Sequence, residues 1–379
     1  MKGSKEPDWL LEYRKEEKIA SDKLSLEDRK IFLKYAERES EFYFNELKVK
    51  NDGLNNLLYY DKETFKDKLE IENLKDLKEK PEEFYEFKDK DRVEAIINAN
   101  FDEGIIIKFN DNINVGKPFK IRQTVESGRK ITKIILVIGK NSKLYIADEI
   151  DSFKNSYSGQ NLYIILKEDS ELNFMLSDKS RGASITNINL ITKGRVNFLS
   201  ILTNEAVNRN RLWIKMLEHA EVNIKQGLIG NGESYFDIES EITHSEKNTK
   251  SNVNYKAVLD NDSKAVYKGV IRQEKLATNS YAYLSENSLI LDKNAKSISV
   301  PSLEIETNEL KAYHSASSQP LDKELLFYVM SRGLSRSSAI KIVATGFVES
   351  VFGRAENTVF MDELKNSIEN KMEYLGDKL

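Results

Sequence analysis

The spacing of apolar residues changes twice along the chain, dividing it into three regions. Residues 1–92 give a helical region and a linker. From Asp8 to about Lys80 the apolar positions recur at helical intervals with lysine and glutamate between them. Ser25 is placed to cap a helix, with Asp28 three residues on in a weak form of the capping box. Ile31, Phe32, Tyr35 and Phe42 then fall on one rough stripe. A charged connection, KDLKEKPEEFYEFKDKD, follows as a solvated linker.

From about Val93 to residue 319 the helical period fades. Short β-branched runs replace it, at 104–107, 131–138, 162–166, 183–191, 196–202, 212–217, 253–259, 265–271 and 297–305. Turn-forming Asn, Asp, Ser and Gly, together with Lys, separate them. Leu212, Ile214 and Met216 alternate with Trp213, Lys215 and Leu217, the period of a strand with one buried face. Strands spaced this evenly fit a sandwich, a propeller or a solenoid. Asn and Ser break the runs in ITNINLITKGRVNFLSILTNEAVNRN. Corners of stacked coils favour such residues, because asparagine tolerates a left-handed backbone and ladders along a stack. No strict short repeat is visible, so the choice stays open on periodicity alone.

Residues 320–379 return to helix. Leu325, Leu326, Val329 and Met330 sit at helical spacing, and Gly333 is placed to end that helix. Ser335 can cap the next, whose apolar face is Ile340, Val343, Phe347 and Val351. Phe360, Leu364, Ile368 and Met372 recur at steps of four in a third.

Composition narrows the function. With 40% hydrophobic and 32% charged residues among 379, the chain is of a folding rather than a disordered kind. Its 58 basic and 62 acidic residues give a net charge of −4, no basis for nucleic acid or an anionic membrane as partner. The longest apolar runs, such as residues 134–138, are too short to span a bilayer. The charged N-terminal stretch MKGSKEPDWLLEYRKEEK lacks the apolar core of a signal peptide, so a cytoplasmic location is expected. Cysteine is absent, which excludes a disulfide, a zinc–thiolate site or a thiolate-ligated cluster built from this chain alone. Without a glycine-rich phosphate loop, any ATP use must come from a partner. Three histidines and no nucleophile motif give no support to a hydrolase triad. Polysaccharide lyase or hydrolase chemistry, compatible with stacked coils, needs grouped carboxylates, and here they are scattered. A non-enzyme is expected.

The segment VPSLEIETNELKAYHSASSQPLDKELLFYVMSRGLSRSSAIKIVATGFVESVF resembles the SufB/SufD family of iron–sulfur cluster assembly proteins. The resemblance rests on Pro301, Leu303-Glu304-Ile305, His314, Asp322, Phe327-Tyr328, Ser331-Arg332-Gly333 and Gly346-Phe347, in that order. YKGVIRQ at 267–273 and the His244 segment with Ser251 and Tyr255-Lys256 are similar to family segments too, and the start EPDWLLEYRKE resembles the SufB-type start. The family implies a mainly β chain, a right-handed parallel β-helix flanked by N-terminal and C-terminal helical regions. It implies C-terminal helices (residues 320–379) that dock a SufC-like ABC-type ATPase. The last coils would pair with a Cys-bearing SufB-type subunit, or with a second copy in a homodimer when isolated. An iron–sulfur cluster would form at that interface, shared transiently with the partner and not held by this chain alone. The SufB-type cysteine would fall near Asn294 or Ala295, and the SufB-type glutamate after the histidine is Ser315. Both departures make the chain SufD-like more than SufB-like. The implied role is a scaffold or accessory subunit, and its rivals are a carbohydrate-active and a purely structural homodimeric β-helix.

His314 is the implied ligand or proton handler, against the plainer reading of a histidine at a sheet edge. Asp322, Phe327, Tyr328, Arg332, Gly333 and Phe347 are the implied partner interface. Arg332 suits an ion pair with a partner carboxylate, whereas Phe327 serves equally as plain core, Gly333 as a helix terminator and Phe347 as packing between helices. His219 and His244 are separated by close to the length of one coil, and admit a two-histidine metal site without an evident third ligand. Trp9, on a polar helix, is either a partner anchor or part of a mobile N-terminus.

Overall fold

Each repeat of this chain is one strand, a corner, a second strand and another corner. The computed structural model describes residues 6–24, 56–88, 91–353, 358–373 and 375. Ser25, Asp28, Ile31, Phe32, Tyr35 and Phe42 lie outside the described residues. The first coils are β3 (Glu103–Phe109) with β4 (Phe119–Val125), β5 (Gly128–Ile138) with β6 (Lys143–Ser152), and β7 (Ser156–Leu166) with β8 (Glu171–Asp178). They continue as β9 (Ala183–Thr192) with β10 (Arg195–Leu202), β11 (Val207–Met216) with β12 (Glu221–Gly230), and β13 (Tyr235–His244) with β14 (Lys250–Leu259). The last are β15 (Lys264–Gln273) with β16 (Ser280–Ile290), and β17 (Lys296–Ile305) with β18 (Leu310–Pro320). Odd strands pair in parallel in a first sheet and even strands in a second, so the chain is a parallel β-solenoid. Two short strands, β1 (Leu58–Tyr59) and β2 (Leu69–Asn73), pair antiparallel with β4 and β3 and close the N-terminal end. Tyr60, Phe65 and Phe109 pack around Phe119 beneath them, Tyr60 stacking on it at 4.9 Å.

The coils differ in length, which hides the repeat. Ser184 lies beside Asn208 in one pair of coils and Lys264 beside Lys296 in another, a longer step along the chain. The corners keep a common chemistry instead. Asn112, Asn141, Asp169, His219, Asn248 and Asn279 each take a left-handed backbone at one line of corners. Asn141 Nδ2 donates to Asn112 Oδ1 at 3.3 Å, and Asn279 Nδ2 to Asn248 Oδ1 at 2.6 Å.

Seven of the nine apolar runs lie in the first sheet, and only 196–202 and 253–259 in the second. The first sheet is covered on its outer face over the early coils, so those strands bury residues on both faces. Strands of the second sheet carry outward polar residues: in β4, Lys120, Arg122 and Thr124 alternate with buried Phe119, Ile121 and Gln123. One continuous apolar column fills the solenoid from Leu57 to Leu284. Burying each aliphatic side chain there contributes about 1.5–3 kcal/mol.

Helices form two outer layers. α1 (Asp8–Lys23) and α2 (Arg92–Asn100) place Leu10, Tyr13, Val93 and Ile97 on the first sheet at Ile106, Ile131 and Ile135. Of the stretch expected to be helical up to Lys80, the described part after α1 is instead the two closing strands. Around Val93 the order is reversed: α2 occupies the start of the expected β region, and strands begin at Glu103. Asp91 caps α2, accepting from Glu94 N at 2.9 Å, and its other oxygen pairs with buried Arg209.

At the C-terminus follow α3 (Lys323–Met330), α4 (Arg336–Phe352) and α5 (Thr358–Met372). Phe360, Leu364, Ile368 and Met372 of α5 are all buried, at the spacing of four. The face of α4 is rotated from the expected one: Ile340, Ala344, Val348, Val351 and Phe352 are buried, while Val343 and Phe347 are half-buried. The reason is the sheet beneath. α4 lies over Leu199, Ile201, Ile229 and Val258 of the second sheet, and Gly227 lets the Phe352 ring come within 3.2 Å of where a Cβ would stand.

Candidate functional site

The last coil ends both sheets. Among the described residues, β17 and β18 each have a strand on one side only, so one row of backbone groups on each lacks a strand partner there. Their side chains stay exposed, including Ile298, Val300, Ile305 and Tyr313. His314 sits in β18 beside Leu284 of β16. Leu284 belongs to the apolar column, so parallel register puts His314 on the inward face, where it is exposed because no further coil covers it among the described residues. Tyr313 points outward, its ring 6.2 Å from Tyr281. Ser315 donates to Ser285 at 3.2 Å and Ser317 to Asn287 at 2.7 Å, fixing the strand on its outer side.

Glu286, two residues beyond Leu284 on the same inward face, lies under Ala316. It is 2% exposed, and one carboxyl oxygen accepts from the Ser299 hydroxyl of β17. Burial pushes its carboxyl up to about 8. Tyr255 and Tyr267 stack behind it with ring centroids 4.1 Å apart, and burial raises both hydroxyls. The signal for Glu286 was present in the alternation of Ala282, Leu284, Glu286 and Ser288, which carries a carboxyl into an otherwise inward row.

Only Leu321 and Asp322 separate β18 from α3. Asp322 caps α3, its carboxylate accepting from Glu324 N at 2.8 Å and Leu325 N at 3.3 Å. α3 buries only Leu326 and turns outward Leu325, Phe327 (75% exposed) and Tyr328 (57% exposed). Arg332 Nη2 donates to the Tyr328 hydroxyl at 3.0 Å, with its guanidinium 5.2 Å from that ring. Gly333 has φ +89°, a left-handed turn beyond the helix end. Leu334 and Ile342 extend the exposed apolar surface. Phe347 lies apart from it. Its ring meets Lys256 Nζ at 4.8 Å against the second sheet, so it packs between helix and sheet rather than between helices.

The other candidates go elsewhere. His219 holds a left-handed corner position, with its side chain in solvent 3.3 Å from Glu218. His244 is fully buried, with its ring nitrogens 2.8 Å from the Thr249 and Ser251 hydroxyls, and burial pulls it down to about 4. The two rings therefore have separate surroundings, and no group of three His, Asp or Glu able to hold a metal ion occurs among the described residues. Trp9 is half-buried and donates to Leu77 O at 2.8 Å, which makes it internal packing rather than an exposed anchor. Asn294 and Ala295 lie in the turn between β16 and β17. No helix among the described residues is long and apolar enough to cross a membrane.

A stack of coils closed at one end, with a histidine and an apolar helix at the other, defines a β-solenoid whose candidate chemistry lies at its terminal coil. Residues 121–347 match the family model described as SUF system FeS cluster assembly, SufBD core domain, and the chain belongs to that family. It is similar to an iron–sulfur cluster assembly SufBD family protein of Staphylococcus aureus (strain USA300), 29% identical over 113 residues. That match covers 30% of this chain and 24% of the relative. The corresponding protein of Staphylococcus haemolyticus (strain JCSC1435) is 29% identical over the same length. The chain thus spans about a quarter of the length of the curated relatives it matches.

Proposed function

We propose that the chain is a non-catalytic scaffold or accessory subunit of a SUF-type iron–sulfur assembly complex, on the SufD-like side. Its last coil would pair with a Cys-bearing SufB-type subunit, or with a second copy when isolated. α3 and the turn at Arg332 would dock a SufC-like ABC-type ATPase. The observation that carries the reading is adjacency: only Leu321 and Asp322 join the strand bearing His314 to a helix whose aromatic side chains face solvent. Large exposed aromatics beside an arginine are the composition of an interface hot spot. Movement of α3 by an ATPase would displace β18 and the His314 ring with it, the kind of rigid-element coupling that switches use. The iron–sulfur cluster is cargo in this scheme. It is shared across the interface, because this chain supplies no thiolate.

Phe327→Glu, fully on the surface, should weaken capture of the cognate ATPase by about thirtyfold, as loss of a hot spot of about 2 kcal/mol does, with an unchanged melting temperature. Undiminished capture would refute the docking surface. His314→Ala should lower cluster formation in the reconstituted complex while leaving ATPase capture intact. Normal cluster yield would return His314 to a structural role.

A further inference from the structure

One carboxyl inside the solenoid has neither a cation beside it nor a full set of donors. Asp148 of β6 is fully buried, in register with Ile121 of the apolar column. Its Oδ1 receives Gln160 Nε2 at 3.4 Å, and its Oδ2 has no hydrogen-bond partner among the described residues. The charged groups that act on it, Asp178 and Glu149, are themselves acidic. Asp178 is the contrast. It is equally buried but accepts from Ser180 N, the Ser184 hydroxyl, Asn204 Nδ2 and Asn208 Nδ2 at 2.6–3.1 Å. The row that meets Asp148 carries further oxygens. Gln160, Thr186 and Asn210 are neighbours in register on three successive strands of the first sheet, and all are fully buried. Gln160 turns its nitrogen to Asp148, and Gln160 Oε1, Thr186 Oγ1 and Asn210 Oδ1 have no partner among the described residues. Leaving such groups unmatched in a core costs about 1–3 kcal/mol each, so several together point to an occupant.

We propose that Asp148, Gln160 and Thr186 bind a monovalent cation of sodium's size inside the solenoid, with Asn210 Oδ1 the next oxygen along the row. The donors are a carboxylate, an amide oxygen and a hydroxyl, the hard oxygen ligands that such ions take. Neighbouring coils stand about 4.8 Å apart, so an ion midway between two of them lies about 2.4 Å from oxygens on each, within the range for ions of calcium's or sodium's size. The single uncompensated carboxylate sets the charge. A divalent ion would leave a net positive charge in the apolar column, whereas a monovalent one leaves none. The site belongs to the fold, independently of the assembly reading, and makes the stability of the solenoid depend on an alkali cation.

The test is chemical unfolding of the full-length chain at pH 8 in rising sodium chloride, with choline chloride holding the ionic strength constant. Choline is too large for the interior, so in choline the carboxyl meets its charge alone. Once sodium exceeds its dissociation constant, each tenfold rise should multiply the folded-to-unfolded ratio about tenfold. Asp148→Asn, of the same shape, should abolish that rise, and Thr186→Val should move its onset to at least about tenfold more sodium. Glu168→Gln, on the surface between Lys140 and Lys193, should leave it as in the parent. Circular dichroism checks that each variant is folded, and should Asp148→Asn fail to fold, Thr186→Val decides. Equal stability of the parent in sodium and choline, or an undiminished sodium effect in the variants, overturns the site. A crystal structure in sodium gives a second reading. Density between Asp148 and Thr186 at about 2.4 Å from its neighbours sustains the cation, and at about 2.8 Å it is water only and overturns it.

Discussion

Single residues in this molecule are set by which side of a strand they occupy. Arg211 points outward from the first sheet yet is buried, pairing with Asp237 at 2.7 Å and Glu239 at 3.0 Å. Arg211→Ala takes the guanidinium away from two buried carboxylates and should cost about 3–5 kcal/mol, read from the urea midpoint. Inward titratable groups give a pH signature of opposite signs. His244 is pulled down to about 4 from 6.5, so its stabilisation is complete above pH 6.5 and is lost as the pH falls towards 4. Asp148, fully buried, is pushed up to about 8 from 3.8, so its stabilisation is complete at low pH and is lost as the pH rises towards 8. Asp148→Asn should therefore gain on the parent by about 1 kcal/mol per unit between pH 5 and 8, in urea titrations at stepped pH. A flat difference would show that the carboxyl ionises without penalty. His314 stands out in the sequence through its motif. Glu286 was not singled out, because a lone acid in a serine-rich strand looks like a solvated position until the register is known.

Elements were legible where one period dominated. α5 shows its stripe because a single face meets the sheet, so Phe360, Leu364, Ile368 and Met372 stand out against charge. The buried face of α4 differs from the expected one by part of a turn, since Gly227 lets it press Val348 and Phe352 onto β12 instead of seating Val343 and Phe347. Most strands of the second sheet, together with β13 and the short closing strands, are too brief or too polar to carry a legible pattern. Corners were anticipated by their asparagines, and they offer a direct test. Asn141 has φ 53°, so Asn141→Ala should cost about 1–2 kcal/mol, while Asn141→Gly should stay within about 0.5 kcal/mol, by thermal or chemical melting. Equal losses would mean that the side-chain ladder to Asn112, not the backbone, sets the cost.

At the scale of the whole molecule, periodicity alone leaves the solenoid one of several readings, because coils of unequal length have no fixed period to detect. The resemblance supplied stacked coils with helices at both ends; the structure adds how the two ends differ. One is shut by antiparallel strands over an aromatic plug, and the other presents β17 and β18. Such a body has a valence of one. Two copies meeting at the open coil would use up the reactive edge of both, leaving only chain stoppers outward, so association would halt at a pair instead of growing into a filament. Sedimentation velocity should accordingly reach a plateau at two chains however concentrated the sample, and Val300→Lys on the edge should hold it at one. Species larger than two would mean that the shut end also pairs.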